Sequence, residues 1–286
     1  MTKSIIALIY DFDGTLTPGS MQEYTILPEI GVKPNSFWKE VNDEVKKTGA
    51  ESVMTYMRLT LKKAAEKDIP VTAARFHSQA GKIRYFKGVP AFFKAINRYS
   101  AKTNGRLSAL KHYIISGGLK EILVGTSIAK NFNNIFACEY YYDEYGKAVF
   151  PKVIVNSTMK TQYIFRINKG KEDPSESINE HMDENKRPVP FKNMLYIGDG
   201  MTDVPSMAVI KKNGGRAIAV YKPKDTREYR TCKELLKAGR VDFIAEADYR
   251  EGSQLVKYIK LIIDTMSAEI KYSEELAAHK AKNSSR

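Results

Sequence analysis

A near-continuous apolar run, Ser4 to Tyr10, stops at Asp11-Phe12-Asp13-Gly14-Thr15-Leu16-Thr17. That junction limits the possible folds more than any other stretch. Ile5, Ile6, Leu8 and Ile9 do not alternate with polar residues as they would in a half-exposed strand. The run therefore reads as a parallel strand covered on both faces. Two carboxylates then stand two residues apart at the strand's C-terminal end, the edge at which open α/β sheets bind ligands. Acids so placed hold a cation, or divide the roles of nucleophile and general acid/base. The plain alternative is an Asx turn or a helix cap. An EF-hand loop is excluded, because its sixth position needs glycine and holds Leu16.

The same pattern recurs. His112 to Ile115 leads into Ser116-Gly117-Gly118, and Met194 to Ile197 into Gly198-Asp199-Gly200. Ala217 to Tyr221 and Val241 to Ile244 complete the set. Helical stretches separate these runs, so the expected fold class is α/β, a doubly wound parallel sheet built from βαβ crossovers. Residues 18–88 differ. Pro34 to Lys47 and Ala50 to Lys67 carry apolar residues at helical spacing, Val71 to Arg84 suggests another helix, and no strand is evident. This stretch is expected to form a small helical subdomain inserted into a core of residues 1–17 and 89–286. Phe37 and Trp38 are expected to pack its interior. Ile135 to Tyr142 and Ala148 to Val155 read as strands around the turn Glu144 to Lys147. The polar stretch Gly170 to Pro190 reads as an exposed loop or short helix. The tail carries an amphipathic helix through Leu255, Ile259, Ile262 and Ile263, with Lys280 to Arg286 expected to fray.

With 286 residues, 43% hydrophobic and 28% charged, the composition is globular. No apolar run approaches the roughly 20 residues of a membrane helix. The N-terminal run meets Asp11 too soon for a signal peptide. Cys138 and Cys232 form neither a disulfide framework nor a zinc spacing. A cytoplasmic protein with no membrane partner is expected. The net charge of +13 raises the question of a polyanionic partner. The basic residues are scattered from Lys33 to Lys282 without a stripe or a nucleic-acid motif, so a nucleic-acid partner is not expected.

Ser116, at a strand end and before two glycines, sits where backbone N–H groups are exposed and suit a phosphoryl oxygen. It is no hydrolase nucleophile elbow, since Ile114 stands where glycine is required. Gly198-Asp199-Gly200-Met201-Thr202-Asp203 offers a tight turn with two carboxylates, hard oxygen ligands that suit Mg²⁺. Lys160 opens the helix leading toward the Asp199 strand; Lys152 and Lys169 lie close by.

These four elements, in this order, resemble the haloacid dehalogenase superfamily of phosphohydrolases. Asp11 and Asp13 match its first motif, Ser116 its second, Lys160 its third, and Asp199 with Asp203 its fourth. The helical insert is similar to the superfamily's C1 cap, on a Rossmann-like core. The layout after Ser116 is similar to the phosphoserine phosphatase branch. The resemblance implies a Mg²⁺-dependent phosphatase of a small phosphorylated substrate. Asp11 would be the nucleophile, forming an aspartyl-phosphate, and Asp13 the general acid/base. Ser116, Lys160 and the Gly117 amide would hold the phosphoryl oxygens. Asp11, the Asp13 backbone carbonyl and Asp199 would bind Mg²⁺, with Asp203 supporting from behind. The phosphoserine branch places a glutamate nine residues after the nucleophile; here Ser20 stands there, and Glu23 is the nearest substitute. Arg58, in the insert, is a candidate for a substrate carboxylate. A phosphotransferase or phosphomutase, and a non-catalytic phosphate- or polyanion-binding protein of the same fold, are the competing readings.

Overall fold

The computed structural model describes residues 4–104 and 108–284. Seven strands form one sheet: β1 (Ser4–Tyr10), β2 (Ser108–Leu119), β3 (Asn134–Tyr142), β4 (Ala148–Val153), β5 (Met194–Gly198), β6 (Arg216–Tyr221) and β7 (Phe243–Glu246). The helices are α1 (Met21–Tyr24), α2 (Ile26–Glu29), α3 (Pro34–Thr48), α4 (Ser52–Ala65), α5 (Ala73–Gln79), α6 (Val89–Asn104), α7 (Lys120–Leu123), α8 (Met159–Lys169), α9 (Val204–Lys212), α10 (Thr226–Lys237) and α11 (Gln254–Ser284). The strand order is β4-β3-β2-β1-β5-β6-β7, with only the β3–β4 pair antiparallel. The chain leaves β1 toward β2 and β3, then returns to β5 on the other side of β1. β1 is thus the switch strand, and the crevice beyond its C-terminal end is the natural ligand position.

Register fixes what meets there. Tyr10 lies opposite Ile114 of β2 and Ile197 of β5. The residues that follow each strand therefore emerge along one edge. The strands hold because both faces are covered. Ile6 to Tyr10, Tyr113 to Ile115 and Met194 to Ile197 are all fully buried, each large apolar side chain contributing about 1.5–3 kcal/mol. His112 reaches Asn97 on α6 while its neighbour Tyr113 reaches Glu172 just beyond α8. Successive strand residues point to opposite faces, so α6 and α8 cover opposite sides. α11 packs beside α6, and α9 beside α8.

β2 runs past its expected end at Ile115 to Leu119. Its pairing with β3 is interrupted between Ile115 and Leu119, so Ser116-Gly117-Gly118 forms an irregularity inside the strand. The expected helix over Val71 to Arg84 is shorter, α5 followed by a 3-10 turn over Ala80–Lys82. The last strand lies two residues later than expected, at Phe243–Glu246, because Asp242 turns its carboxylate to Lys211 and the Ala217 N–H. Lys280 to Ser284 continue α11 instead of fraying; Ser285 and Arg286 lie outside the described residues. The stretch from Gly170 to Pro190 is a loop with a 3-10 turn at Glu184–Lys186. The buried Arg166 organises it, donating to the carbonyls of Lys171, Asp173, Pro174 and Glu176.

No named strand lies between β1 and β2 among the described residues. The helices of that stretch also rest on the β3–β4 hairpin: Ala148 N–H donates to the Val71 carbonyl, and the Tyr140 hydroxyl to that of Met57. No helix among the described residues is long and apolar enough to cross a membrane.

His112 sits in an aromatic cluster with Tyr10 and Phe93, its ring nitrogens facing the Tyr10 hydroxyl and Asn97. Burial pulls its pKa down to about 3. The unfolded chain binds this proton below about pH 6.5 and the folded chain does not. Stability from a neutral His112 is therefore complete above that pH and drains away as pH falls toward 3, by up to about 1.4 kcal/mol per unit. Urea unfolding of His112→Gln from pH 7 to 4 should show a shallower acid slope than the parent. Equal slopes would remove His112 from the acid response.

Candidate active site

β1 delivers Asp11 with its N–H bonded to the Ile197 carbonyl, at 3.0 Å. The chain then turns tightly: Leu16 N–H returns to the Phe12 carbonyl, and Gly14 N–H to that of Thr17. Gly14 adopts φ +81°, and a Cβ there would lie 2.4 Å from Asp199 Oδ2. Conformation and crowding both demand glycine. Asp13 Oδ1 accepts from the Met21 N–H at 2.9 Å, at the start of α1.

β5 delivers the other acids. Lys160, near the start of α8, is 3% exposed. Its Nζ lies 2.9 Å from Asp11 Oδ1 and 2.7 Å from Asp203 Oδ1. Asp203 also accepts from the Tyr196 hydroxyl and from the N–H groups of Asp199 and Gly200. Both its oxygens are thereby occupied. Asp199 has one long contact, from the Thr15 hydroxyl at 3.4 Å. Lys152 and Lys169, the competitors of Lys160, are engaged elsewhere. Lys152 pairs with Glu139, and Lys169 donates to the carbonyls of Ile178 and Glu180.

Ser116 Oγ accepts from the Gly118 N–H at 3.0 Å, closing the irregularity in β2. Its own hydroxyl proton remains free to be donated. The Gly117 carbonyl accepts from the Tyr56 hydroxyl at 2.7 Å and the Cys138 thiol at 3.3 Å. Leu119 N–H points at Met21 Sδ, and the Met21 methyl fills the space a Cβ at Gly118 would need.

These groups line one cavity of about 330 Å³, with Asp11, Asp13, Ser116, Gly117, Lys160 and Asp199 in its wall. That is the size of a small-molecule site. The rest of the wall includes Ser20, Trp38, Glu51, Ser52, Asn156 and Thr202. Trp38 was expected inside the helical subdomain; it borders this cavity, while Phe37 is fully buried. Ser20 also lines the wall. Glu23 does not, its carboxylate accepting instead from Trp38 Nε1 at 2.9 Å. Arg58 corrects the expectation of a carboxylate-binding residue: it lies outside the wall, its guanidinium 2.6 Å from Glu44 on α3. On α4 the buried residues are Thr55, Tyr56, Met57, Leu59, Thr60 and Ala64, and Arg58 is exposed. Tyr56, Glu51 and Asn156 belong to no motif, and only their helix starts and spacing hinted at them.

The charges explain one another. Burial raises the carboxyl of Asp11 to about 6, Lys160 opposing the rise and Asp203 adding to it. Burial, then Asp203 and Asp11, hold Asp199 well above the ordinary range. Burial and the Asp11 charge likewise raise Asp13. For Lys160, burial alone would lower the pKa, but Asp11 and Asp203 outweigh it and hold it high. Oxygens of Asp11, Asp199 and Asp203 lie within 4.8 Å of one another. With all three ionised, the carboxylates leave two negative charges in excess of the one ammonium, which is why burial and mutual repulsion raise Asp11 and Asp199. Asp203 is saturated by donors, whereas Asp11 and Asp199 keep oxygen capacity. This hard, anionic donor set fits a divalent cation, with Asp11 and Asp199 as its protein carboxylates. Asp13, expected among the ligands through its backbone carbonyl, also lines the cavity, and its carboxylate accepts from the Met21 N–H.

Removing the ammonium should be costly. Lys160→Met leaves Asp11 and Asp203 buried and facing each other. In buffer freed of divalent cations, urea unfolding should show a loss of about 3–5 kcal/mol. A change under about 1 kcal/mol would mean that the ion pair adds little to this core.

Known proteins resemble this chain in sequence and in fold. Residues 8–208 match the family model for haloacid dehalogenase-like hydrolases. An uncharacterized protein of Borreliella burgdorferi (strain ATCC 35210 / DSM 4680 / CIP 102532 / B31) is 33% identical, over 90% of this chain and 96% of its own. A substrate-bound phosphoserine phosphatase superposes with a TM-score of 0.57 at 17% identity, covering 90% of this chain and 99% of that one. A hydrolase of the same family from Salmonella enterica serovar Typhi gives 0.55 at 14% identity, over 83% of this chain and 66% of that one. The chain belongs to the haloacid dehalogenase-like hydrolase family.

Proposed function

We propose that this protein is a Mg²⁺-dependent phosphatase of a small phosphomonoester, working through an aspartyl-phosphate on Asp11. The observation that carries the reading is the pair Asp11 and Asp13 in the wall of one cavity with Ser116 and Lys160, Asp11 itself being braced by Lys160 at 2.9 Å. A binding protein for phosphate has no use for Asp13.

The Asp11 carboxylate attacks phosphorus, forming a P–O bond as the bond to the substrate alcohol breaks. Asp13 gives its proton to the departing alkoxide. Water then attacks the phosphorus, Asp13 takes its proton, and Asp11 is released as carboxylate. Ser116, the Gly117 N–H and Lys160 donate to the equatorial oxygens, over which charge spreads at the transition state. Mg²⁺ held by Asp11 and Asp199 would supply the positive charge that lets two anions approach. Asp203 fixes Lys160 in place through the 2.7 Å contact. The phosphoserine phosphatases among the structural neighbours support the reaction class by analogy of fold.

Phosphate release from p-nitrophenyl phosphate tests the reading. Release should require Mg²⁺, proceed without any added acceptor alcohol, and fall by about 10³-fold or more in Asp11→Asn. Full activity in that variant would rule out the aspartyl-phosphate. Turnover only with an added acceptor would make the protein a phosphotransferase.

A further inference from the structure

The cavity wall carries two sets of residues of different chemistry. One set is the acids, Ser116, the glycines and Lys160. The other includes Ser20, Trp38, Glu51 and Ser52. Lys160 is the single Lys or Arg in the whole wall, and it is committed to Asp11 and Asp203. Apart from Asp11, Asp13, Lys160 and Asp199, Glu51 is the one charged side chain of the wall among the described residues.

Glu51 is only half used by the protein. As N-cap of α4, it accepts from the Met54 N–H through Oε2 at 2.7 Å. Among the described residues no donor meets its other oxygen, and Glu51 takes part in no ion pair. It shares the cavity wall with Ser116, Gly117 and Gly118. Trp38 supplies a fixed aromatic wall. Its ring meets Phe37 edge-on at 5.1 Å and Tyr56 at 5.9 Å. Its N–H is held by Glu23 at 2.9 Å. A carboxylate accepting the indole proton enriches the ring in electrons, which favours a cation over its face.

We propose that the cavity selects phosphomonoesters of short amino-alcohols, with Glu51 and the Trp38 ring receiving the ammonium group while the phosphoryl group lies against Asp11. This rests on the phosphatase reading above. The same wall rejects leaving groups that carry a carboxylate or a second phosphate. Such a group would face Glu51 with no arginine or lysine to receive it, since Arg58 is turned to Glu44. An amino-acid phosphate therefore gains from its ammonium and loses from its carboxylate. A neutral polyol finds hydroxyl partners in Ser20 and Ser52 but leaves the free oxygen of Glu51 without a charged partner.

The test compares kcat/KM at saturating Mg²⁺ for four probes: phosphoethanolamine, the isosteric 2-hydroxyethyl phosphate, 2-phosphoglycolate, and p-nitrophenyl phosphate as a general reporter. Phosphoethanolamine should exceed 2-hydroxyethyl phosphate by about tenfold or more, the scale of one partly exposed ion pair with a cation–π contact. Phosphoglycolate should be the poorest. Glu51→Gln can still cap α4 through its amide oxygen, and it should bring the amine-to-hydroxyl ratio to within about threefold, chiefly by raising KM for the amine. Trp38→Phe should keep most of the preference and Trp38→Leu should lose it. If p-nitrophenyl phosphate is hydrolysed but the hydroxyl or carboxylate probe matches the amine, the selectivity is overturned and the phosphatase stands. A preference that survives Glu51→Gln overturns the role of Glu51. No release from any probe brings down both readings.

Discussion

Lys160 is the pivot of this structure. Its ammonium lies between Asp11 at the end of β1 and Asp203 in the turn after β5, tying three separate stretches of chain at one point. Burying charge is expensive unless the geometry satisfies it. Here Asp203 is satisfied further, by Tyr196 and two backbone N–H groups, while the Asp11 backbone is fixed by its N–H to Ile197 and its carboxylate keeps oxygen capacity. The glycines of the motifs follow from this packing. A Cβ at Gly198 would lie 2.4 Å from Asp203 Oδ2, as one at Gly14 would from Asp199. The motif glycines are the space that the carboxylates occupy, in addition to being turn formers. Without Lys160 the acids repel; without the glycines they cannot approach.

A second set of contacts fixes the Ser116-Gly117-Gly118 turn from the inserted helices. Met21 lies over Gly118 and takes the Leu119 N–H on its sulfur, and Tyr56 donates to the Gly117 carbonyl. Met21 also offers its own N–H to Asp13. One short helix thus contacts both the acid of the first motif and the turn of the second. The carbonyl of Gly117 is pulled toward Tyr56 and Cys138, which orients the peptide groups on either side. A strand that simply ended at Ile115 would leave this turn free to move. Its return to pairing at Leu119 and Cys138 holds it at both ends.

The core was legible in the sequence because its signals are local. Unalternating apolar runs mark strands covered on both faces, and the acids follow those runs directly, so their common edge could be read from β1 and β5 alone. Lys160 could be chosen over Lys152 and Lys169 only by its place at a helix start. The far wall of the cavity was not legible, because it depends on how helices rotate. Arg58 and Met57 are adjacent in sequence, yet about 100° of helical turn separates them, and only Met57 faces inward. Trp38 and Phe37 present the same difficulty: both are aromatic residues of α3, one fully buried and the other bordering the cavity. Glu51 carries a capping signal that conceals its second, unused oxygen. The continuation of β2 through Ser116 depends on its register with β3, a strand the sequence does mark but whose pairing no local pattern announces. The helical state of Lys280 to Ser284 lies beyond Ile270, the last buried residue of α11 among those described; the stretch from Lys271 to Lys282 is rich in Ala, Glu and Lys, which favour helix without packing.

The charge of the whole molecule and the charge of its cavity have opposite signs. The chain carries +13 overall, yet the cavity wall holds Asp11, Asp13, Asp199 and Glu51 against Lys160 alone. The two act at different ranges. At a distance, a positive surface concentrates small anions around the protein, an effect screened over about 8–10 Å in ordinary salt. At contact, the ionised acids of the wall repel an anion. An anion is thus attracted to the protein in general and opposed inside the cavity. Scattered lysines suit the first task better than a dense stripe, since a stripe would hold a polyanion against the surface. The same separation explains why the overall charge is a poor guide to this cavity: the far field is set by residues in solvent, whereas the order of groups from Lys160 to Glu51 is set by what each carboxylate can find within hydrogen-bonding distance.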